Sequence, residues 1–583
     1  MEPYQRVFRD EDSSFNRDES SLQMPSFEGF IDKVLYFQEE SGRCVLEVKT
    51  EDRASLLVAG RLPEAFPGQR LEVYGASTSV SRPEEILTAK KLVALLPDAP
   101  RTLRKFLKSG AIKGLGPKLA TRIAGAASPW FFQALEQSPS ELLKIKGIGP
   151  KTVESIVLNW QSYQALTKIR EFLFQENLPL FWSAALWARF GVKSLDQLKT
   201  FPYETAQSLL FDFESIDSFG LRLHVPLESP DRIRCALYDT LRSFMKQGHC
   251  AIPESLLVEQ TSARLEIDSE IADWIYEAEV IRGELVSDQV MDTSCCFLKE
   301  IWQLEQQVAE ELIHVSSRPV PWGEFHLDKV LPWAQSLLKI QLAPLQIEAI
   351  KTALSSPLTV ITGGPGTGKT TLIRTFLTIL QTQFVSFALC SPTGRASQRL
   401  TETTGSPAQT LHRLLKYDPL TGTFQKNQLN PLEYDLVVID EASMIDLELM
   451  SALIKAMPRH GALILVGDAD QIPSIGLGHV LQSILDCGVF KKVRLEEIFR
   501  QQKQSAILVN AERIKKGLMP LSHDQLDPEV SRDFQYFSVV GVERTTRVLH
   551  DLLVQKIPQD LSIQEPSSIQ ILVPMNKGPL GSH

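Results

Sequence analysis

The sequence predicts a multidomain α/β protein organised around one parallel-sheet lobe, with a small β-barrel and a helical region before it. Three observations carry that expectation. VITGGPGTGKTTL (360–372) reads as an apolar strand, a glycine-rich loop and the start of a helix. DLVVIDEASMID (435–446) is a second apolar strand, ending in two adjacent acids. Upstream, IKGLGPKLATRI (112–123) recurs as IKGIGPKTVESI (145–156), offset by 33 residues.

The bulk properties set the limits. At 583 residues the chain has room for three or four domains of about 100–200 residues each. Its 43% apolar and 23% charged content is that of an ordinary globular protein. The start, MEPYQRVFRDEDSS, has no apolar centre and is not a signal peptide. No run approaches the roughly 18 apolar residues that span a bilayer, so a cytoplasmic protein with no membrane partner is expected. Seven cysteines lie without metal spacing, and the adjacent Cys295 and Cys296 read as buried thiols. A net charge of −10 argues against a chain that coats nucleic acid with its whole surface, but not against a local basic site.

Residues 1–25 are polar and predict a disordered leader. Residues 26–97 hold four strand-like segments between Gly, Pro and charged breaks, which suit a small β-barrel. Residues 98–160 contain the tandem repeat, the signature of paired helix-hairpin-helix elements. In each copy two glycines, Gly114 and Gly116, then Gly147 and Gly149, permit a tight turn, and the next residue is a helix-starting Pro. The turn's N–H groups and the helix N-terminus would face a phosphate, with Lys118 and Lys151 placed to add a cation. From Arg101 to Lys151 ten Lys/Arg stand against two Glu, a local balance of +8 within an acidic protein. DNA-backbone contact is expected, without sequence readout. Residues 161–318 read as a helical, mixed domain with no catalytic constellation, and the acidic run Glu254–Asp292 reads as a solvated face. The turn at Pro319 and Pro321 marks the expected boundary before the nucleotide-binding lobe.

In that lobe Gly363, Gly364, Pro365, Gly366, Thr367 and Gly368 form the phosphate cradle, continued by Lys369, Thr370 and Thr371. Lys369 is expected to reach the β and γ phosphates of ATP and Thr370 to offer its hydroxyl to Mg²⁺. Asp440, 71 residues after Lys369, would complete the Mg²⁺ shell, and Glu441 would orient and deprotonate the attacking water. A third strand, ALILVGDADQIPSIGLG (462–478), places Gln471 to sense the γ-phosphate.

With these elements in order the chain resembles a superfamily 1 helicase of the RecD type. LAPLQIEAI (342–350) resembles the Q-motif, which implies that Gln346 reads the adenine. SPTGRASQRL (391–400) resembles motif Ia and TLHRLL (410–415) motif Ib. This implies single-stranded DNA contacts at Thr393, Gly394, Arg395, Thr410 and His412. LEEIFRQ (495–501) resembles motif IV, with Arg500 as a γ-phosphate contact. The resemblance assigns 319–488 to a RecA-like lobe 1A carrying a 1B hairpin at 417–435, and 489–583 to a partial lobe 2A. In the family's long form a further hairpin carries a Gly-Ile-Gly turn; here the stretch reads FDFESIDSFG (211–220) and is not expected to bind.

The implied function is that of an ATP-dependent 5′-to-3′ DNA helicase of repair or recombination, with single-stranded DNA and single-strand/duplex junctions as partners. Motifs V and VI are not found before His583. The expectation is therefore binding of ATP and DNA with poor unwinding by this chain alone, a second polypeptide being one source of the missing motifs. An ATP- and DNA-binding remnant is the first alternative. The second, an exonuclease V alpha subunit, is disfavoured by the hairpin-bearing N-terminal region.

Overall fold

The computed structural model describes residues 27–496, apart from 53, 76–85 and 128–129, and 505–581, apart from 523–524, 528–529, 532, 562, 564–568, 574–577 and 579. The expected leader and Arg500 lie outside the described residues. The chain forms two compact units: Met1–Met245 with Ala251–Lys299, and Lys246–Cys250 with Glu300–His583. The expected boundary at Pro319–Pro321 falls later than the break found. The helix Lys299–Ser316 buries Val308, Leu312 and Val315, and just beyond it Arg318 Nη1 donates to Pro458 O at 3.1 Å, within the second unit.

The first unit opens with strands β1 (Phe27–Phe37), β2 (Arg43–Lys49), β3 (Ser55–Arg61), β4 (Arg70–Tyr74), β5 (Ile86–Thr88) and β6 (Lys91–Leu95). They form one sheet in the order β5-β3-β2-β1-β4-β6, antiparallel except for β3 with β5. The short β5–β6 turn ties the two ends together: Ala89 N donates to Ala59 O at 2.9 Å and Lys90 N to Tyr74 O at 3.0 Å. Gly60 of β3 passes so close to β6 that a Cβ there would fall 2.6 Å from Leu92 Cδ1. The sheet is thus curled shut around Ile31, Leu46, Val58, Leu71 and Val73.

Four helices follow at Pro100–Lys108, Pro117–Ala127, Phe131–Gln137 and Pro150–Gln175. Their core takes the apolar residues flanking the repeat glycines, Ile112 and Leu115 from one copy and Ile145 and Ile148 from the other. The rest of the unit is helical, with a small antiparallel sheet of β7 (Ala251–Pro253), β8 (Leu285–Val290) and β9 (Thr293–Leu298). Cys295 and Cys296 are buried free thiols on β9. The acidic run is not wholly a solvated face. Glu279 is buried, accepting from Arg234 Nε at 2.7 Å, Arg282 Nη1 at 3.1 Å and Tyr238 Oη at 3.2 Å. Its two arginine partners compensate a charge that the acidic composition of the run had assigned to solvent.

The second unit carries a six-stranded sheet, parallel throughout, of β10 (Leu358–Gly363), β11 (Phe387–Ser391), β12 (Ala408–Thr410), β15 (Leu436–Ile439), β16 (Ala462–Gly467) and β17 (Lys491–Leu495). Its order is β12-β11-β15-β16-β10-β17. Strands β10, β15 and β16 are buried at every position, as expected of a parallel sheet covered on both faces. The hairpin strands β13 (Tyr417–Asp418) and β14 (Thr423–Phe424) are shorter than the 417–435 segment expected, whose remainder is mainly loop. Among the described residues no helix is long and apolar enough to cross a membrane.

Candidate active site and nucleic-acid interface

The candidate nucleotide site is built at the C-terminal ends of β10, β15 and β16. Strand β10 delivers Gly363 into a space that admits no side chain: a Cβ would lie 2.8 Å from Thr367 Oγ1 and 2.9 Å from Leu495 O. At Gly364, by contrast, an added Cβ meets nothing within 4 Å, so the cradle is open on that side. Gly366 and Gly368 adopt φ of +78° and +80°, which turn the backbone inward at no steric cost. Thr367 Oγ1 donates to Gly364 O at 2.9 Å and fixes the loop. The helix Lys369–Gln381 starts at Gly368 with no side-chain cap, leaving its positive end for an anion. Lys369 Nζ is folded back onto the carbonyls of Gly363 and Gly364, the latter at 3.1 Å. Thr370 and Thr371 occupy the first turn of that helix.

The acids come from the end of β15. Strand β16 lies between β15 and β10, so the two halves of the site are next-nearest neighbours in the sheet. Asp440 N donates to Cys390 O at 2.9 Å, and Asp440 Oδ1 accepts from Glu441 N at 3.0 Å. Burial, then the charge of Glu441, pushes the Asp440 carboxyl up to about 6; the Lys369 and Arg399 charges pull it the other way. Glu441 holds a left-handed φ of +56°, a strained position for a residue with a side chain. Its Oε2 is buried with no hydrogen-bond partner among the described residues, as is Ser443 Oγ. Two adjacent carboxyls, one orphaned oxygen and an uncapped glycine loop suit a magnesium-bound triphosphate, which would supply the missing cation and the missing anion together.

The third strand gives a less direct contribution. Beyond β16, Asp468 is buried and its Oδ1 accepts from Asp470 N at 3.1 Å, while Ala469 N donates to Thr362 Oγ1 at 3.3 Å. Gln471 follows, exposed, with its N–H on Asp468 O at 3.2 Å. Gln346 is held differently from the expectation of an adenine contact. It is buried, its Oε1 accepts from Ala343 N at 3.0 Å and its Nε2 donates to Thr367 O at 3.1 Å. In this state it braces the phosphate loop. Sequence reading missed Ser443, Thr362 and Arg399; only Arg399, one turn after Arg395 on the same helix, carried a signal that could have found it.

The expected DNA contacts divide by role. Thr393 and Thr410 cap helices, accepting from Ala396 N at 3.3 Å and Arg413 N at 3.2 Å. Gly394 and His412 are exposed, and Arg395 Nη1 donates to Gln570 Oε1 at 2.7 Å. His412 packs against Tyr417 and Phe424 of the hairpin, with ring centroids 5.5 and 5.8 Å away.

In the first unit the two repeat turns are near copies. Gly114 and Gly147 take φ of +82° and +86°; Pro117 and Pro150 begin the helices that follow. Gly114, Gly116, Lys118, Gly147 and Lys151 are exposed and Gly149 is partly so, while the intervening Leu115 and Ile148 are buried. The stretch 211–220 differs. Its left-handed turn residue is Leu210, and Asp212 places its own carboxylate on the helix N-terminus, accepting from Ser215 N at 2.9 Å. That carboxylate sets a negative charge where a phosphate would otherwise meet the helix N-terminus.

Comparison with known proteins agrees with this order of elements. A tandem helix-hairpin-helix family, described as SAM-like, matches residues 105–162. The helix-hairpin-helix domain of the ATP-dependent RecD2 DNA helicase matches 162–251, and an AAA domain matches 346–477. The ATP-dependent RecD2 DNA helicase of Deinococcus radiodurans is 26% identical over 486 residues, covering 81% of this chain and 64% of the relative. The RecBCD enzyme subunit RecD of Mycolicibacterium smegmatis is 36% identical over 215 residues, covering 33% of this chain and 37% of that one. The crystal structure of the Candida albicans Pif1 helicase aligns at 23% identity over 32% of this chain and 46% of its own, with a TM-score of 0.26. The chain thus spans less than two thirds of the length of these curated relatives. The tandem hairpins, the RecD2-type hairpin domain and the AAA domain, matched in that order, are what make this chain similar to the RecD-type DNA helicases.

Proposed function

We propose that this chain acts as an ATP-dependent 5′-to-3′ DNA helicase in repair or recombination. The observation that carries the reading is the unpaired buried oxygen of Glu441 beside Asp440, on the sheet whose neighbouring loop is an uncapped phosphate cradle. In this reading the loop from Gly363 to Thr371 wraps the triphosphate with its N–H groups. Lys369 leaves the Gly363 and Gly364 carbonyls to pair with the β and γ phosphates. Thr370 and Asp440 would hold magnesium, which when bound neutralises charge on the phosphates. Glu441 Oε2 accepts a proton from the attacking water. Gln471 follows the strand between the two halves of the site and reports the state of the γ-phosphate; Arg500 adds a second positive charge there beside that of Lys369. Thr393, Gly394, Arg395, Thr410 and His412 face the single strand, the caps at Thr393 and Thr410 presenting their helix N-termini to its backbone. The tandem hairpins hold the flanking duplex by its phosphates. The polarity comes from the family resemblance.

Duplexes carrying a 5′ or a 3′ single-stranded tail test the proposal. DNA-stimulated ATP hydrolysis is expected, with whatever strand separation occurs confined to the 5′-tailed substrate, and Lys369→Ala is expected to abolish both. DNA-stimulated ATPase activity without unwinding of either substrate would reduce the chain to a DNA-dependent ATPase; reversed tail preference would overturn the polarity.

A further inference from the structure

The two hairpin turns touch more than their own helices. Arg122, on the helix that follows the first turn, reaches across to the second: its Nη1 donates to Lys146 O at 3.1 Å. A Cβ placed on Gly147 would fall 2.3 Å from that same nitrogen, so the guanidinium lies directly against the turn glycine. The reverse contact also exists. Asn159, on the helix that follows the second turn, lies with its Nδ2 3.3 Å from where a Cβ of Gly114 would be. Its amide is oriented by Ser155, whose carbonyl accepts from Nδ2 at 2.8 Å. Each turn is therefore flanked by a side chain from the other hairpin's helix.

Nothing in the hairpin repeat requires this. Arg122 and Asn159 stand five and nine residues after their respective helix-starting prolines, so they are not equivalent positions. Arg122 is exposed, so its bond to Lys146 O is made where water competes for both groups. The second turn presents Lys146, Gly147 and Lys151 to solvent, and its φ of +86° at Gly147 depends on the backbone staying where it is.

We infer that Arg122 is a positioning residue that sets the second hairpin turn for DNA phosphate, so that the tandem hairpins engage duplex DNA as one two-point clamp rather than as two independent contacts. The inference rests on the proposed DNA binding and adds the means by which its two halves are coupled. Two phosphate contacts held at a fixed spacing bind together with a high effective concentration, and a loosened turn forfeits that gain as well as its own contact.

The test is a double-mutant cycle on the full chain, reading affinity for a short blunt DNA duplex between about 50 and about 200 mM salt. Each phosphate cation lost flattens the log–log salt slope by about 0.9. Lys118→Ala and Lys151→Ala are each expected to do so in the parent. In the Arg122→Ala background Lys151→Ala is expected to change affinity less than twofold, because its hairpin is already misplaced, whereas Lys118→Ala keeps its full effect. Arg122→Lys, which keeps a cationic donor, is expected to restore the parent response to Lys151→Ala. Circular dichroism and thermal unfolding confirm that each variant is folded. Full additivity of Arg122→Ala with Lys151→Ala overturns the inference and leaves Arg122 as one more surface cation. A parent chain with no affinity for the duplex overturns instead the DNA-binding reading on which it rests.

Discussion

Replacing Arg170 with Met should loosen the packing of the β-barrel on the helix that carries the second hairpin. Glu64, just beyond β3, is only 6% exposed. Its carboxylate accepts from Tyr163 Oη at 2.5 Å, from Thr167 Oγ1 at 3.2 Å to either oxygen, and from Arg170 Nη1 at 3.1 Å. All three donors project from the helix Pro150–Gln175, at spacings of four and three residues that put them on one face. Arg170→Met leaves a buried carboxylate with two neutral donors. Breaking a buried pair costs about 3–5 kcal/mol. The Arg170 side chain is 26% exposed, so water recovers part of the loss and about 3 kcal/mol is expected. The double variant Glu64→Gln with Arg170→Met removes both charges and keeps an acceptor for Tyr163 and Thr167. It should lie within about 1 kcal/mol of the parent. Urea unfolding followed by tryptophan fluorescence measures this, helped by Trp160, whose ring stacks on Tyr163 at 5.4 Å. Equal destabilisation of the single and double variants would refute the reasoning, because the loss would then be one of packing rather than of charge.

Other expectations follow from the nucleotide site. Asp440→Asn should abolish magnesium-dependent nucleotide binding yet raise the melting temperature of the metal-free protein at pH 8. The native carboxyl is pushed up to about 6, above its unfolded value, so its ionisation weakens the fold. That cost, at most about 3 kcal/mol, is complete at pH 8 and vanishes as pH falls towards 4, so the variant's advantage should shrink on acidification; an equal gain at all pH values contradicts it. Gln346→Ala should weaken ATP and GTP binding together, by about 10-fold, because it unbraces the phosphate loop. A selective loss of ATP in competition titrations would return Gln346 to the role of adenine reader. Gly363→Ala should lower nucleotide affinity and stability by more than about 1 kcal/mol, since no Cβ fits between Thr367 and Leu495, whereas Gly364→Ala should be tolerated by the fold. Thermal unfolding of the two variants side by side checks this, and equal melting temperatures would refute it.

How much could be read beforehand depended on how local the determinant was. The glycine loop, the acid pair and the repeat turns are set by φ and by strand-to-helix geometry within about ten residues, and sequence carries that directly. Glu279 was misjudged because its burial depends on Arg234, 45 residues away, and no periodicity shows that pairing. The break between the two units was placed late because the helix Lys299–Ser316 is amphipathic whichever unit it joins, and Pro319 and Pro321 gave a louder local signal. Gln346 was assigned by resemblance to a ligand contact, whereas its buried amide is satisfied within the protein, through a bond to Thr367 that is 21 residues distant. The stretch 211–220 went the other way. Absence of a glycine turn argued against phosphate binding, and the Asp212 carboxylate that caps the helix instead could not be foreseen from the missing glycines.

The central claim is that the glycine loop and the acids after β15 form one magnesium–triphosphate pocket. Equilibrium titration of the full chain with a fluorescent ATP analogue, with and without magnesium, tests it directly. The account predicts saturable binding that requires the metal and falls at least about 100-fold in Lys369→Ala, a loss of about 2.7 kcal/mol. Metal-independent binding, or binding unchanged by that substitution, would contradict it.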